Sequence, residues 1–198
     1  MKGMVINLEN DKCWHCKKTI MTMQGAVNTD VEGEQVTLCG TCWNKHIAKY
    51  MGTDFETIEL KPITLKGCSG KTHAFHFFTH LVPPGLEIDA REILSSDQAG
   101  YEFSVLGPHG CNQSDLILDL YAKIKRGLSK RYLKKSRSGI GIKDRRVVGR
   151  IEWDDTYQGE IPRLIIDGLP ITWNQFGKML MSFEGWNLKL DILDRTEE

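Results

Sequence analysis

Apolar and polar positions follow a period of two in the middle of the chain, which predicts a sheet. Residues 86–91 alternate apolar and charged side chains, as a half-buried strand does, and the alternation continues in residues 101–105. Residues 57–66 and 71–82 predict two further strands before them. Because the connections between these strands are short, we expect antiparallel pairing.

The period changes to that of a helix after residue 113. Ser114 is a suitable N-cap, and apolar residues then recur at helical spacing through Leu133. The apolar stripe consists of Ile117, Leu120, Tyr121, Ile124, Leu128 and Tyr132. The opposite face is basic, so we expect one long helix that backs the sheet and presents cations to solvent.

The last part of the chain predicts a ββαβ unit. Residues 147–153 and 164–166 have the composition of strands. Thr172 and Gln175 form a capping-box pattern that opens a helix, and Gly185 fits its end. Residues 186–192 then alternate Trp, Leu, Leu and Ile with polar residues, which predicts a closing strand.

Two Cys-x-x-Cys pairs, Cys13 with Cys16 and Cys39 with Cys42, are the strongest chemical signal in the chain. Four thiolates at this spacing can surround one tetrahedral ion, as in a structural zinc site. The residues between the pairs suit a hairpin, with a turn at 32–34. Residues 43–51 read as a helix closed by Gly52.

The order of knuckle, hairpin, second knuckle and helix resembles a treble-clef zinc finger. Zinc is favoured over iron because nothing else in the sequence indicates redox chemistry. Two matched pairs argue against a thioredoxin-like motif, and no His follows either pair, as covalent haem attachment requires. His15 or His46 could replace one cysteine ligand, but four thiolates are already sufficient.

Segments 80–85, 166–173 and 183–186 resemble a family of uncharacterised bacterial proteins with an N-terminal zinc finger. This resemblance implies no particular activity. We expect an α+β protein with a zinc-finger module at 1–53, an antiparallel sheet plus helix at 54–138, and the ββαβ unit at 139–198.

Composition is that of an ordinary globular protein, with 40% apolar and 26% charged residues among 198. No apolar run approaches the roughly 18 residues that span a bilayer, and the first residues lack the pattern of a signal peptide. We therefore expect a cytoplasmic protein without a membrane partner.

A net charge of zero conceals a strong asymmetry along the sequence. Residues 123–150 contain twelve Lys or Arg against one acid, whereas residues 151–198 contain four against ten. This stretch is either a binding surface for DNA, RNA or a protein, or is balanced internally or by a second copy of the chain in a homo-oligomer. The candidate binding residues are Lys123, Arg126, Lys130, Arg131, Lys134, Lys135 and Arg137.

An enzyme is the alternative that the sequence favours less. A hydrolase or nuclease could use His76 or His80 with Cys68 or with nearby carboxylates. The glycines around Cys68 do not form a phosphate loop, because Leu65 stands where the first Gly is required. We expect a non-enzymatic protein, and an active site would need one of these histidines beside a nucleophile or an acid.

Overall fold

The chain folds as a mixed α+β protein, which confirms the predicted fold class. The computed structural model describes residues 12–20, 25–56, 58–94, 99–136 and 139–197. Every strand pair within these ranges is antiparallel. Three clusters of buried apolar residues form the cores of an N-terminal module, a central sheet and a C-terminal unit.

The central sheet contains four strands in the order in which they occur in the chain. They are β3 (Ile63–Lys66), β4 (Thr72–Val82), β5 (Gly85–Glu92) and β6 (Glu102–Gly107). This agrees with the predicted strands, although the first is shorter than the predicted 57–66, of which residue 57 lies outside the described residues. In β5, residues alternate between a face that packs on a helix and a face of charged side chains.

Helix α2 (Gln113–Leu128) covers the apolar face of the sheet. Its buried residues recur every four positions and contact Phe75, Ile88 and Ala90 of the sheet. They are Leu116, Leu120, Ile124 and Leu128. Gly127 permits close packing, because a Cβ at this position would lie 2.3 Å from the Phe103 ring.

Both ends of α2 differ from the predicted helix. The N-cap is Asn112, whose side-chain oxygen accepts the Ser114 N–H at 2.9 Å, so Ser114 itself is not the cap. The helix also ends at Leu128 and does not continue to Leu133, which lies in a strand. The predicted ridge of cations on one helix is therefore wrong for residues 130–135.

Tertiary contacts explain why α2 ends where it does. The Leu128 carbonyl accepts the Cys68 N–H at 2.9 Å, while the Tyr132 N–H donates to the Asp167 carboxylate at 3.0 Å. In a continued helix, Tyr132 would donate to Leu128. Both groups have partners elsewhere in the molecule, so the chain leaves the helix.

The N-terminal module contains a hairpin and a helix in the predicted order. Strands β1 (Ala26–Val31) and β2 (Glu34–Cys39) pair around a turn in which Glu32 and Gly33 both have positive φ. Helix α1 (Gly40–Met51) follows directly and ends at Gly52, which adopts the left-handed conformation.

The C-terminal unit is built from two small sheets and one helix. The hairpin comprises β7 (Leu133–Ser136) and β8 (Gly139–Ile142). The remaining elements are β9 (Arg150–Glu152), β10 (Arg163–Ile166), β11 (Leu169–Thr172) and α3 (Trp173–Leu180), with short 3-10 turns at Asp155–Tyr157 and Met181–Phe183. The three-stranded sheet has the order β11-β10-β9. Thr172 and Gln175 form the predicted capping box. Leu133 of β7 and Ile142 of β8 pack with Ile166, so both strands of the hairpin contribute to this core.

The predicted closing strand at 186–192 is wrong. These residues pair with no strand in the part of the chain that the structure describes, and their apolar side chains are exposed. Alternation gives a segment two faces, but a strand also needs a neighbouring edge to pair with.

No helix among the described elements is both long and apolar enough to cross a bilayer.

Candidate metal centre and basic surface

The first cysteine pair lies in a tight knuckle. Lys12 and Thr19 form an antiparallel bridge, and the Cys13 N–H donates to the Lys18 carbonyl at 2.9 Å. Lys17 has a positive φ, which turns the chain back on itself. The knuckle also pairs with the hairpin, because the Trp14 N–H donates to the Thr37 carbonyl of β2. The Cys13 side chain is thereby fully buried.

The second pair lies where β2 passes into α1. Cys39 is the N-cap residue of α1, and Cys42 lies in its first turn. The unpaired N–H groups and the dipole at this end of a helix stabilise negative charge, including that of a thiolate. The Cys39 N–H in addition donates to the Cys13 sulfur at 3.3 Å, which links the two knuckles directly.

The four cysteine sulfurs form one compact cluster. All four lie within 4.8 Å of one another, and those of Cys16 and Cys39 are 3.8 Å apart. Four sulfurs at 2.3 Å from a tetrahedral ion are separated by about 3.8 Å, which matches the Cys16–Cys39 separation. Neither His15 nor His46 belongs to the cluster. The cluster could therefore hold a metal ion through cysteines alone.

The pKa values of the clustered cysteines indicate that a bound cation would stabilise their thiolate forms. Burial raises the pKa of Cys42 above its usual value, and the neighbouring thiols raise it further. Burial likewise raises the pKa of Cys39. At Cys13 burial acts in the same direction, but backbone hydrogen bonds led by that from Cys16 outweigh it and lower the pKa to about 6. Four thiolates are stable together only if a bound cation compensates their charge.

The N-terminal module is attached to the central sheet through α1. The Asn44 side chain is buried; its amide donates to the Thr79 carbonyl at 2.8 Å, and its oxygen accepts the Leu81 N–H at 2.8 Å. Trp43 adds an indole hydrogen bond to the Leu81 carbonyl at 3.1 Å. Nothing in the local sequence distinguished Asn44 from a solvent-facing helix residue.

Three of the cations between residues 123 and 150 are engaged within the protein. Lys123 donates to the carbonyls of Ser104 and Arg195, each at 2.9 Å. Arg131 lies 3.4 Å from the buried Asp167 carboxylate, and Arg150 is paired with Glu152 and Glu102. Acids of the C-terminal unit thus balance part of the basic stretch, as one of the two interpretations of the charge asymmetry requires.

Other cations of the stretch have no acidic partner. Within the described ranges, no carboxylate lies within 4.0 Å of Lys125, Arg126, Lys130, Lys134 or Lys135. Lys125 and Lys130 instead lie over the rings of Tyr121 and Tyr132. All five side chains are exposed. Arg137, the remaining candidate, lies outside the described residues.

Three of these cations, Lys125, Lys134 and Lys135, border two shallow grooves. One, of about 360 Å³, is lined at the C-terminal end of α2 by Leu128, Lys125 and Lys66. The other, of about 210 Å³, is lined by Arg131 and by Lys134 and Lys135 of the β7–β8 hairpin. We define the basic surface as Lys66, Lys125, Arg126, Lys130, Lys134 and Lys135. Lys66 was missed from the sequence because only the folded chain brings the end of β3 beside the C-terminal end of α2.

The structure does not bring Cys68 to His76 or His80. His76 and His80 lie opposite Arg91 and Glu87 on the charged face of the sheet. Cys68 hydrogen-bonds to the end of α2, which packs on the other face. His80 lies 4.0 Å from Asp89, which is beyond hydrogen-bond reach. Burial lowers the pKa of His80, although the charges of Asp89 and Glu87 oppose this shift.

A second polar cluster on the charged face was not predicted. The Ser104 hydroxyl lies 2.7 Å from an Asp89 oxygen and 2.9 Å from a Glu87 oxygen, so its single proton is shared between two carboxylates that are both largely buried. Arg195, near the C-terminal end of the described chain, pairs with Glu87 at 2.5 Å. The two acids therefore anchor the C-terminal segment to the sheet. A pairing across more than one hundred residues leaves no signal in the local sequence.

Comparison with known proteins assigns two domains but no activity. Residues 56–129 match a domain of unknown function, DUF7686, and residues 132–197 match another, DUF7713. The cysteine cluster lies outside both matches. No curated protein and no solved structure shows a significant match to the chain. These matches agree with the expectation of a family without an assigned activity, whereas its bacterial origin stays a prediction.

Proposed function

We propose that this is a non-enzymatic, zinc-binding protein of the cytoplasm that binds the phosphate backbone of DNA or RNA through its basic surface. The five exposed cations without acidic partners between Lys125 and Lys135 carry the proposal. A protein that used these residues only for internal charge balance would pair them with the acids of residues 151–198, as it does with Arg131.

Zinc is the ion that the cysteine cluster suits best. Four sulfur ligands in a tetrahedral arrangement are typical of structural zinc, and they leave no open position for a substrate. The order of knuckle, hairpin and helix supports a module of the treble-clef type. In this proposal zinc stabilises the fold of the N-terminal module, and Asn44 fixes that module to the sheet.

The shape and charge of the basic surface suit a phosphate backbone. Lysine ammonium groups contact phosphates as point charges, and binding releases the counterions condensed on the nucleic acid. The two grooves place cations on either side of the junction between α2 and β7. Because these cations come from flexible lysines more than from rigid arginines, we expect little sequence preference.

Fluorescence anisotropy with a labelled single-stranded RNA and a DNA duplex tests the proposal. We expect binding that weakens between about 50 and 200 mM salt, with a log–log slope of roughly −0.7 to −0.9 per phosphate contacted. Combined Lys130→Ala, Lys134→Ala and Lys135→Ala substitutions should flatten that slope by about two to three such contacts.

The matched control removes three exposed lysines elsewhere. Lys45 and Lys49 lie on α1 and Lys178 on α3, so their replacement by Ala changes net charge equally but leaves the basic surface intact. Equal loss of affinity in both triple variants would show a general charge effect and refute the assigned surface. Absence of binding at about 50 mM salt would refute nucleic-acid binding and leave a protein partner as the alternative.

A further inference from the structure

Residues 186–194 form an exposed apolar strap across the surface of the protein. Trp186 is 60% exposed, and Leu188, Leu190 and Ile192 are 71–72% exposed. Side chains of this size are normally buried, and their burial in water is favourable. An unbroken row of exposed apolar side chains at alternate positions marks a surface that another molecule covers.

The strap is held at both ends. Trp186 packs edge-on against Phe183 at a ring separation of 5.8 Å and lies under the Arg145 guanidinium. At the other end, Arg195 is paired with Glu87, and its carbonyl accepts a hydrogen bond from Lys123. Since the ends are fixed, ordering of the strap on binding costs less conformational entropy than ordering of a free tail.

Between residues 186 and 192 the strap has two chemically different sides. Lys189 and Asp191 lie on the same side, because their charged groups are 3.5 Å apart. Residues 186–194 contain no helix or turn. In an extended chain, positions that are two apart share a side, so Leu188, Leu190 and Ile192 lie together on the other side. The strap therefore has the two-faced character of a strand but lacks a partner among the described residues.

We propose that the strap of a second copy is this partner, and that two chains form a homodimer through an antiparallel ladder centred on Leu190. In this register Leu190 faces Leu190 of the second copy, and Leu188 faces Ile192. The charged side is matched as well, because Lys189 faces Asp191 in two symmetric pairs.

Charge complementarity selects this register over its neighbours. Centring the ladder on Lys189 would place Lys189 opposite itself, and centring it on Asp191 would place two Asp residues opposite each other. A parallel, in-register pairing would do both. Like charges directly opposite one another destabilise a ladder, whereas opposite charges stabilise it. The sequence of the strap is thus self-complementary in the Leu190-centred register.

Cysteine cross-linking tests the register. In a Cys68→Ser background, which removes an exposed thiol, Leu190→Cys should form an intermolecular disulfide on mild oxidation, because only position 190 faces itself. Ile192→Cys is the matched control, since it would face Leu188, and it should not cross-link. Cross-linking at both positions, or at neither, would overturn the register.

A charge swap tests the dimer itself by sedimentation and light scattering. Lys189→Asp and Asp191→Lys each create two like-charged pairs and should raise the dimer dissociation constant about tenfold. The double variant restores opposite charges and should return it to the wild-type value. Both residues are exposed, so neither change is expected to affect folding. A wild-type protein that is monomeric at about 100 μM, or a dimer that is insensitive to the single changes, would refute the proposal.

Discussion

The buried carboxylate of Asp167 accepts the backbone N–H of Leu133 at a distance of 2.8 Å. Its other oxygen lies 3.0 Å from the Tyr132 nitrogen. Asp167 lies in the turn between β10 and β11, whereas Leu133 begins β7. One side chain therefore joins the segment after α2 to the C-terminal sheet and holds the first lysines of the hairpin in place.

We expect Asp167→Asn to lower the free energy of unfolding by about 1.5–3 kcal/mol, the range for a hydrogen bond to a charged group. Asn tolerates the positive φ of this position, so backbone strain does not contribute. Urea denaturation measures the change. Asp155→Asn, at an exposed position, is the control, and an equal midpoint for both variants would contradict this role of Asp167.

Purified protein should contain one zinc ion per chain. Cys13→Ser should lose it, and Cys68→Ser should retain it, because only Cys13 belongs to the cluster. Chelation should then expose the amides of β1, β2 and α1 to hydrogen exchange, since the module depends on the ion for its stability. A metal-free protein in which these amides stay protected would contradict the structural role.

Asn44→Ala should lower the free energy of unfolding by about 2–3 kcal/mol. The substitution leaves the Leu81 N–H and the Thr79 carbonyl without their side-chain partner in a buried position. Asn174→Ala, on the exposed side of α3, is the matched control in the same denaturation experiment. If both variants unfold at the wild-type midpoint, Asn44 does not fix the N-terminal module to the sheet.

Tyr101 should make the protein less stable above pH 10. Burial, assisted by the charge of Asp167, raises the pKa of Tyr101 to about 12 from a usual value of 10. The unfolded chain releases this proton first, so stability is fully present below pH 10 and is lost as the pH rises towards 12.

Tyr101→Phe removes the ionisable group and should reduce the alkaline loss of stability. Unfolding free energies measured from pH 9 to 12 show the effect as a smaller slope than in the wild type. The exposed Tyr50→Phe variant should keep the wild-type slope. Identical slopes for Tyr101→Phe and the wild type would show that other groups cause the alkaline dependence.

The sequence by itself determined the local elements and the candidate metal ligands. Alternation in β5 and the capping box of α3 are visible because the hydrogen bonds and the buried face involve residues close in the chain. The spacing of the cysteine pairs is also local, and a hairpin between them brings their sulfurs together. The mixed α+β class follows from these elements.

Only the tertiary structure decided where elements end and which of the described cations in residues 123–150 have no acidic partner. Helix α2 stops at Leu128 because Cys68 and Asp167 take the hydrogen-bonding groups that a further turn needs. Lys123 and Arg131 were candidates from the sequence, but they are not part of the basic surface because partners distant in sequence bind them. The strap around Leu190 has the alternation of a strand, yet pairing requires a second edge, and the position of an edge is a property of the folded molecule and not of the segment.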